Sequence, residues 1–130
     1  SVYAFSDNRK LPAGVDMDDT TSMLLKFAGG VTGYLSTLLM TADLYRVHVF
    51  GTKGWLELRG DTELTFRGLQ GAPEKITLPA VDKEKAELEA FADAVAAKRP
   101  FLVPPEETVN GVAVLEAIVA AAASGVMVRI

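Results

Sequence analysis

The sequence has no cysteine and only one histidine, His48, among its 130 residues. The lack of cysteine excludes disulfides, Fe–S clusters, thiolate zinc sites and a cysteine nucleophile from this chain. One histidine cannot build a histidine-rich metal site. A chain without cysteine is compatible with a reducing compartment, and we expect a cytoplasmic location.

A basic stripe and a long apolar run are also missing. The formal net charge is −4 and the lysines and arginines are scattered singly, so we expect no nucleic-acid partner. No uninterrupted apolar run reaches the roughly 20 residues that span a bilayer, so we expect no membrane partner. The composition, 49% apolar and 23% charged, is that of a globular protein, and the length fits one domain over residues 1–130.

Short alternating segments and Gly-rich turns over residues 1–81 predict a β-meander. The connections are too short for anything but antiparallel neighbours. The predicted strands cover 2–5, 20–27, 31–40, 45–50, 55–59, 62–67 and 75–78.

Two helices and a last strand, over 126–130, are predicted for the remainder. Asp82 caps the first helix, which ends before Pro100, and the second runs from about 106 to 123 and ends at Gly125. Its interior is apolar apart from Asn110 and Glu116, so we predict burial over most of its circumference.

The predicted fold class is α+β, a predominantly antiparallel open β-sheet of about seven or eight strands with two helices packed on one face. Two helices cannot cover both faces of such a sheet. The opposite face carries Leu, Tyr, Thr and Val, and an open apolar sheet face is usually an interface. A solvated face with scattered apolar residues is the alternative.

Two motifs resemble binding loops. The segment AGGVTG at 28–33 nearly matches G-x-G-x-x-G, but a strand rather than a helix follows it, so we predict a hairpin at Gly29-Gly30. The acidic group Asp16, Asp18 and Asp19 lacks the Gly and Glu positions of an EF-hand, which favours a solvated loop over a metal site.

Isolated polar residues complete the search for chemistry. His48 lies in a strand pattern with no nucleophile elbow elsewhere, so a sheet-face role is favoured over a catalytic triad. Glu116 marks either the solvated stripe of its helix or a buried functional acid. We predict no catalytic, cofactor-binding or metal-binding residue in this chain. The polar loop residues Thr41, Asp43 and Tyr45 are candidates for substrate contact, with an ordinary strand connection as the alternative.

Four stretches, in this order, resemble the C-terminal domain of the Gfo/Idh/MocA oxidoreductases, the glucose–fructose oxidoreductase and inositol dehydrogenase family. The first, DDTTSMLLKFAGGVTGYLST at 18–37, is similar to the family's acidic start and first hairpin. The others are VHVFGTKGWLEL at 47–58, ELEAFADAVAAKRPFLVPPEE at 87–107 and VLEAIVAAAASGVMVRI at 114–130.

The resemblance implies that an N-terminal Rossmann domain, outside this chain, binds NAD or NADP and carries the chemistry. The family's E-K-P lysine and its D-x-x-x-H residues are not in this sequence, so no catalytic or cofactor residue is carried over. We therefore expect the chain to be part of a longer enzyme and inactive alone. The Pro104-Pro105 start of the second helix departs from the usual Ser, Thr or Asp cap.

Two hypotheses remain. In the first, the chain is the domain of an NAD(P)-dependent oxidoreductase, acting on a sugar, polyol or related hydroxy compound, that supplies a substrate-pocket wall and a homo-oligomer contact through its open sheet face. In the second, it is a non-enzymatic dimerisation or partner-docking module. An upstream G-x-G-x-x-G after a strand in the parent reading frame would favour the first.

Overall fold

The computed structural model describes residues 1–8, 11–12, 14–15 and 17–130 and divides into two compact units. The first unit comprises Ser1–Thr41 and Pro100–Ile130, and the second comprises Ala42–Arg99. The elements in chain order are β1 (Val2–Asp7), β2 (Thr20–Lys26), β3 (Thr32–Leu38), β4 (Arg46–Gly51), β5 (Gly54–Arg59), β6 (Glu63–Gly68), β7 (Glu74–Thr77), α1 (Lys83–Ala96) and α2 (Pro105–Ser124).

The first unit contains an antiparallel sheet in the order β1-β2-β3. The hairpin between β2 and β3 closes where the Phe27 N–H donates to the carbonyl of Val31 at 2.9 Å. The predicted hairpin is therefore confirmed. Of its two glycines, Gly30 has a positive φ of +86° and Gly29 does not.

The core of the first unit lies between β1 and α2. Alternate residues of β1 and β2 point to the helix, and the helix meets them with alanines one turn apart. Because alanine is small, the helix axis can approach the strands closely. The buried core residues are Val2, Ala4, Met23, Ala117 and Ala121.

The opposite side of this sheet, which we call the open face, carries aromatic, aliphatic and hydroxyl side chains. Phe5, Leu24, Tyr34 and Leu38 on this face are each more than half exposed. The Tyr3 and Phe5 rings contact each other edge-to-face, with centroids 5.0 Å apart.

The second unit contains a four-stranded antiparallel meander, β4-β5-β6-β7. Its tightest turn is Thr52-Lys53 between the paired Gly51 and Gly54. One face carries charged and aromatic side chains, including His48 and Trp55. The other carries aliphatic side chains such as Val49 and Leu56, which are at least partly exposed.

The helix α1 begins at the predicted cap. The carboxylate of Asp82 accepts a hydrogen bond from the N–H of Lys85 at 3.0 Å. The apolar side chains of Leu88 and Val95 on this helix are 69% and 62% exposed. Its apolar stripe is therefore largely open to solvent.

The α+β class, the antiparallel strands and the two helices are confirmed, and the strands number seven. They form two sheets rather than a continuous one in the described part of the chain. The predicted strand at 126–130 is wrong: only Val128 pairs, in an isolated bridge to Val2. Glycine at 125 adopts the left-handed conformation that ends α2, as predicted.

The prediction that α2 is buried around most of its circumference is wrong. Of its residues only Ala117 and Ala121 are fully buried, and Val119 is 69% exposed. Apolar composition indicates which sides of a helix can be buried, but the described residues of the first unit bury only the side that faces the sheet. By length and a mean hydropathy of 1.3, α2 is also the one helix among the described residues that could cross a membrane, a test that core helices pass as well.

Candidate functional site

The loop proposed for substrate contact connects the two units. Thr41 ends the first unit, and Asp43 and Tyr45 begin the second. All three side chains are exposed. The carbonyl of Tyr45 accepts a hydrogen bond from the Gly60 N–H at 2.9 Å, which ties this end of the loop to the turn after β5. Substrate contact by these residues stays a prediction.

An ion pair lies beside this anchored end of the loop. The ammonium of Lys83, at the start of α1, lies 2.9 Å from Oδ1 of Asp61 in the β5–β6 turn. The hydrogen bond and charge of Asp61 raise the pKa of Lys83 above its ordinary value, with smaller contributions from Glu84 and then Tyr45. Tyr45, Asp61 and Lys83 therefore share one polar neighbourhood in the second unit.

The first unit contains a recess between the end of β1 and α2. Its polar wall is a hydrogen-bonded chain in which the Ser6 hydroxyl lies 2.6 Å from Oδ2 of Asp18 and 2.7 Å from the Thr21 hydroxyl. Its other wall is the aliphatic side of α2. The recess has a volume of about 350 Å³ and is lined by Ser6, Asp18, Thr21, Ile118, Val119, Ala122 and Ala123.

The acidic residues ahead of β2 differ in exposure, since Asp18 is exposed and Asp19 is buried. Asp19 is 4% exposed, and its carboxylate accepts a hydrogen bond from the Thr20 hydroxyl at 2.9 Å. Its backbone extends the sheet, since its N–H donates to Asp7 and its carbonyl accepts from Leu39. The solvated-loop prediction is therefore wrong for Asp19. Asp16 lies outside the described residues.

The two remaining polar candidates, His48 and Glu116, lie on a sheet face and on an exposed side of α2. The His48 ring packs on Phe50, with centroids 4.1 Å apart, and against the edge of Trp55. Glu116 is exposed on α2, consistent with the solvated-stripe interpretation. Across the described ranges, no three His, Asp or Glu side chains are grouped so that they could hold a metal ion.

On the open face, a tyrosine hydroxyl sits over two serines. The Ser22 hydroxyl lies 3.5 Å from the Tyr34 hydroxyl and 3.2 Å from the Ser36 hydroxyl. Hydrogen bonds from Ser22 and Ser36 stabilise the phenolate and lower the pKa of Tyr34. This gives the open face a polar centre among its aromatic side chains.

The residue patterns missed the Asp61–Lys83 pair and the Ser6–Asp18–Thr21 recess. Both join residues at least 12 positions apart. The nearest available signal was the Asp82 cap, which fixes where α1, and hence Lys83, begins. For the recess, no local pattern links the strand hydroxyls to α2.

The fold defines the class as an open-sheet α+β domain. Residues 1–130 match the family model described as "Oxidoreductase family, C-terminal alpha/beta domain", which represents the Gfo/Idh/MocA proteins. The chain belongs to this family. The predicted resemblance is thus confirmed. Among proteins with curated functions, none matches the sequence significantly.

Solved structures of oxidoreductases share the fold over nearly all of this chain. An aldose–aldose oxidoreductase from Caulobacter crescentus, complexed with glycerol, is 23% identical with a TM-score of 0.83 over 99% of the chain. A UDP-N-acetylglucosamine 3-dehydrogenase from Acidithiobacillus ferrooxidans is 20% identical with a TM-score of 0.79 over 93%.

A third structure, described as a putative NADPH-dependent oxidoreductase from Desulfitobacterium hafniense, is 21% identical, with a TM-score of 0.78 over 96% of this chain. The chain spans only about 40% of the length of the proteins it matches. At these identities the likeness establishes the fold of this chain.

Proposed function

We propose that this chain is the C-terminal domain of an NAD(P)-dependent oxidoreductase, here called the parent enzyme, that acts on a sugar, a polyol or a related hydroxy compound. The carrying observation is the family match over residues 1–130. The coverage of about 40% supports a parent with a further domain. The described matches to an aldose oxidoreductase and a nucleotide-sugar dehydrogenase support the substrate class.

In this proposal the cofactor binds outside the chain. The Gly-rich segment at 28–33 is a hairpin between strands, so its amides do not begin a helix that could receive a pyrophosphate. NAD or NADP is held by the N-terminal Rossmann domain of the parent. This chain provides one wall of the substrate pocket through the loop that contains Thr41, Asp43 and Tyr45, and a subunit contact through the open face.

The pocket-wall role is supported by the anchoring of the loop. The Gly60–Tyr45 hydrogen bond fixes the end of the loop, while the Asp43 carboxylate and the Tyr45 hydroxyl can offer an acceptor and a donor to a substrate hydroxyl. Paired donors and acceptors of this kind suit a polyhydroxy compound, because each substrate hydroxyl both donates and accepts.

The test is the oxidation of a panel of sugars and polyols by the purified parent enzyme, followed through the absorbance of reduced nicotinamide. We expect Asp43→Asn, which removes the charge of an acceptor, or Tyr45→Phe, which removes a donor, to raise KM by up to about tenfold, because one hydrogen bond to substrate is weakened or lost, with a smaller change in kcat. Asp93→Asn, at an exposed position on α1, is the matched control. Unchanged KM in both loop variants would contradict the pocket-wall role.

The competing function is a non-enzymatic dimerisation or docking module. The observation that favours this module is the exposed apolar surface of the open face, which includes Phe5, Leu24 and Tyr34. A parent that reduces neither NAD nor NADP with any hydroxy compound, together with a stable dimer of the 130-residue chain, would select the module over the enzyme.

A further inference from the structure

The side of α2 that points away from β1 carries three branched aliphatic side chains that no described residue of the first unit buries. Because an α-helix turns about 100° per residue, Val112 and Val119 lie opposite the buried Ala117 and Ala121. Val112 is 53% exposed, Leu115 63% and Val119 69%. We call Val112, Leu115 and Val119 the outer face of α2.

A helix with aliphatic side chains on two opposite sides is typical of a segment covered on both sides. In the first unit, β1 covers one side through Ala117 and Ala121. The outer face therefore has aliphatic side chains like those of a protein core, but they are exposed to solvent. Three branched aliphatic side chains within two helical turns form a contiguous patch rather than scattered surface residues.

The recess described above adjoins this outer face. Val119 belongs to both, and the polar wall of the recess, Ser6 and Asp18, begins beside it. The Asp18 carboxylate accepts from Ser6 and has capacity for further donors, because a carboxylate offers about four acceptor positions. An occupant of this surface therefore needs an apolar ridge and, next to it, a hydrogen-bond donor.

We propose that the outer face of α2 docks the remaining polypeptide of the parent enzyme, with an Arg, Lys or amide donor of that segment entering the recess toward Asp18. This inference rests on the proposed function. The matched oxidoreductases are about two and a half times as long as this chain, so the same polypeptide offers a tethered partner at high effective concentration.

The charges around the outer face favour this occupant over two others. Asp18 and the exposed Glu116 border it, and carboxylates are poorly compatible with the hydrocarbon of a bilayer. A second copy related by two-fold symmetry would bring its own Asp18 and Glu116 to the same contact, where like charges repel. A polypeptide with a cationic or amide donor meets neither penalty.

The test compares one substitution in two proteins, the 130-residue chain and the parent enzyme. We expect Val119→Asp to lower the melting temperature of the parent by roughly 5–10 °C, because it places a carboxylate in a closed apolar contact. In the 130-residue chain, where Val119 is exposed, we expect a change within about 2 °C. Leu69→Asp, in an exposed turn, is the matched control and leaves both unchanged.

Two further variants protect the test against misfolding. Val112→Asn should repeat the parent-only loss. Asp18→Asn should lower the melting temperature of the parent by more than that of the 130-residue chain, in which it weakens only the Ser6 hydrogen bond. Equal losses in both proteins would overturn the proposal, because the face would then be covered within the chain. Unchanged melting of the parent in all three variants would overturn it too.

The other occupants have their own signatures, and each overturns the proposal. Cosedimentation of the 130-residue chain with anionic phospholipid vesicles, abolished by Val119→Asp, would identify a membrane contact. A halved molar mass of the 130-residue chain with Val119→Asp would identify a second copy. The melting temperatures test only the docking of α2. The proposed function is tested separately, because the absence of nicotinamide-dependent activity in the unsubstituted parent would contradict it.

Discussion

Val2 and Val128 exchange both of their backbone hydrogen bonds, at 2.8 Å and 2.9 Å, so that the two ends of the chain are joined across the edge of the first sheet. The side chain of Val2 is 1% exposed and sits in the core that β1 shares with α2. The bridge therefore places Val128, four residues after the end of α2, directly beside the strand that this helix covers.

Truncation of this buried side chain should be costly. We expect Val2→Ala to lower the free energy of unfolding by about 2 kcal/mol, because two buried methyl groups are lost and part of the space remains empty. Val81→Ala, at a position that is 61% exposed, is the matched control and should change stability by less than about 0.5 kcal/mol. Denaturant unfolding of the 130-residue chain measures both, and equal costs would show that Val2 is not in the core.

The turn between β4 and β5 requires glycine at one position. Gly54 has φ +139°, and a Cβ there would lie 2.0 Å from the carbonyl oxygen of Arg67 on the neighbouring strand. We expect Gly54→Ala to destabilise the protein by roughly 2–4 kcal/mol, because backbone rather than a movable side chain must shift.

Gly29→Ala is the control for this prediction. No atom lies within 4 Å of a Cβ built at Gly29, and its φ is not in the left-handed region. We expect this variant to be neutral or to stabilise by about 0.5 kcal/mol, since alanine has less freedom in the unfolded chain. If Gly54→Ala unfolds at the same denaturant concentration as Gly29→Ala, the described turn is incorrect.

The Lys83–Asp61 pair predicts a small, pH-dependent contribution to stability. Since the pKa of Lys83 is raised by its partner, the contribution is fully present below the unfolded-state value, near 10.5, and is lost as pH rises through the higher folded-state value. We expect Lys83→Met and Asp61→Asn to lower stability slightly at neutral pH, with no further loss in the double variant.

Both side chains of this pair are more than half exposed, so added salt should reduce the difference from the unsubstituted chain. Above the folded-state pKa of Lys83, the Lys83→Met difference should vanish. A coupling that grows with pH, or that salt leaves unchanged, would contradict this assignment.

The open face predicts self-association of the chain. We expect light scattering over a concentration series to give a dimer or larger assembly that persists to low micromolar concentration, and Tyr34→Asp to reduce it to a monomer. Leu69→Asp, which is also exposed but lies in a turn, should leave the molar mass unchanged. A monomeric unsubstituted chain at all concentrations would remove the basis for this contact.

Short-range residue patterns predicted the strands and helices of this fold well, but they predicted the burial of those elements poorly. The Gly29-Gly30 hairpin, the Asp82 cap and the end of α2 at Gly125 are each decided by the conformation of a few neighbouring residues. The burial of α2 is not decided by neighbouring residues, because the spacing of apolar residues shows which side of a helix can be covered but not which segment covers it.

The candidate sites were less accessible from the sequence than the elements. Asp19 is buried because sheet pairing to Asp7 and Leu39 surrounds it, and its neighbours in the sequence are acidic and polar. The recess at Ser6 depends on where α2 crosses the end of β1, which no residue pattern fixes. Tyr45 was proposed from its position in a loop, and its partner Gly60 could only be identified from the folded chain.

Cofactor binding by calorimetry tests the central claim most directly, because it requires no knowledge of the substrate. NADH and NADPH are titrated separately into the parent enzyme and into the 130-residue chain. We predict saturable binding of at least one of them to the parent and none to the chain. Saturable binding to the 130-residue chain, or failure of the parent to bind either nucleotide, would contradict the account.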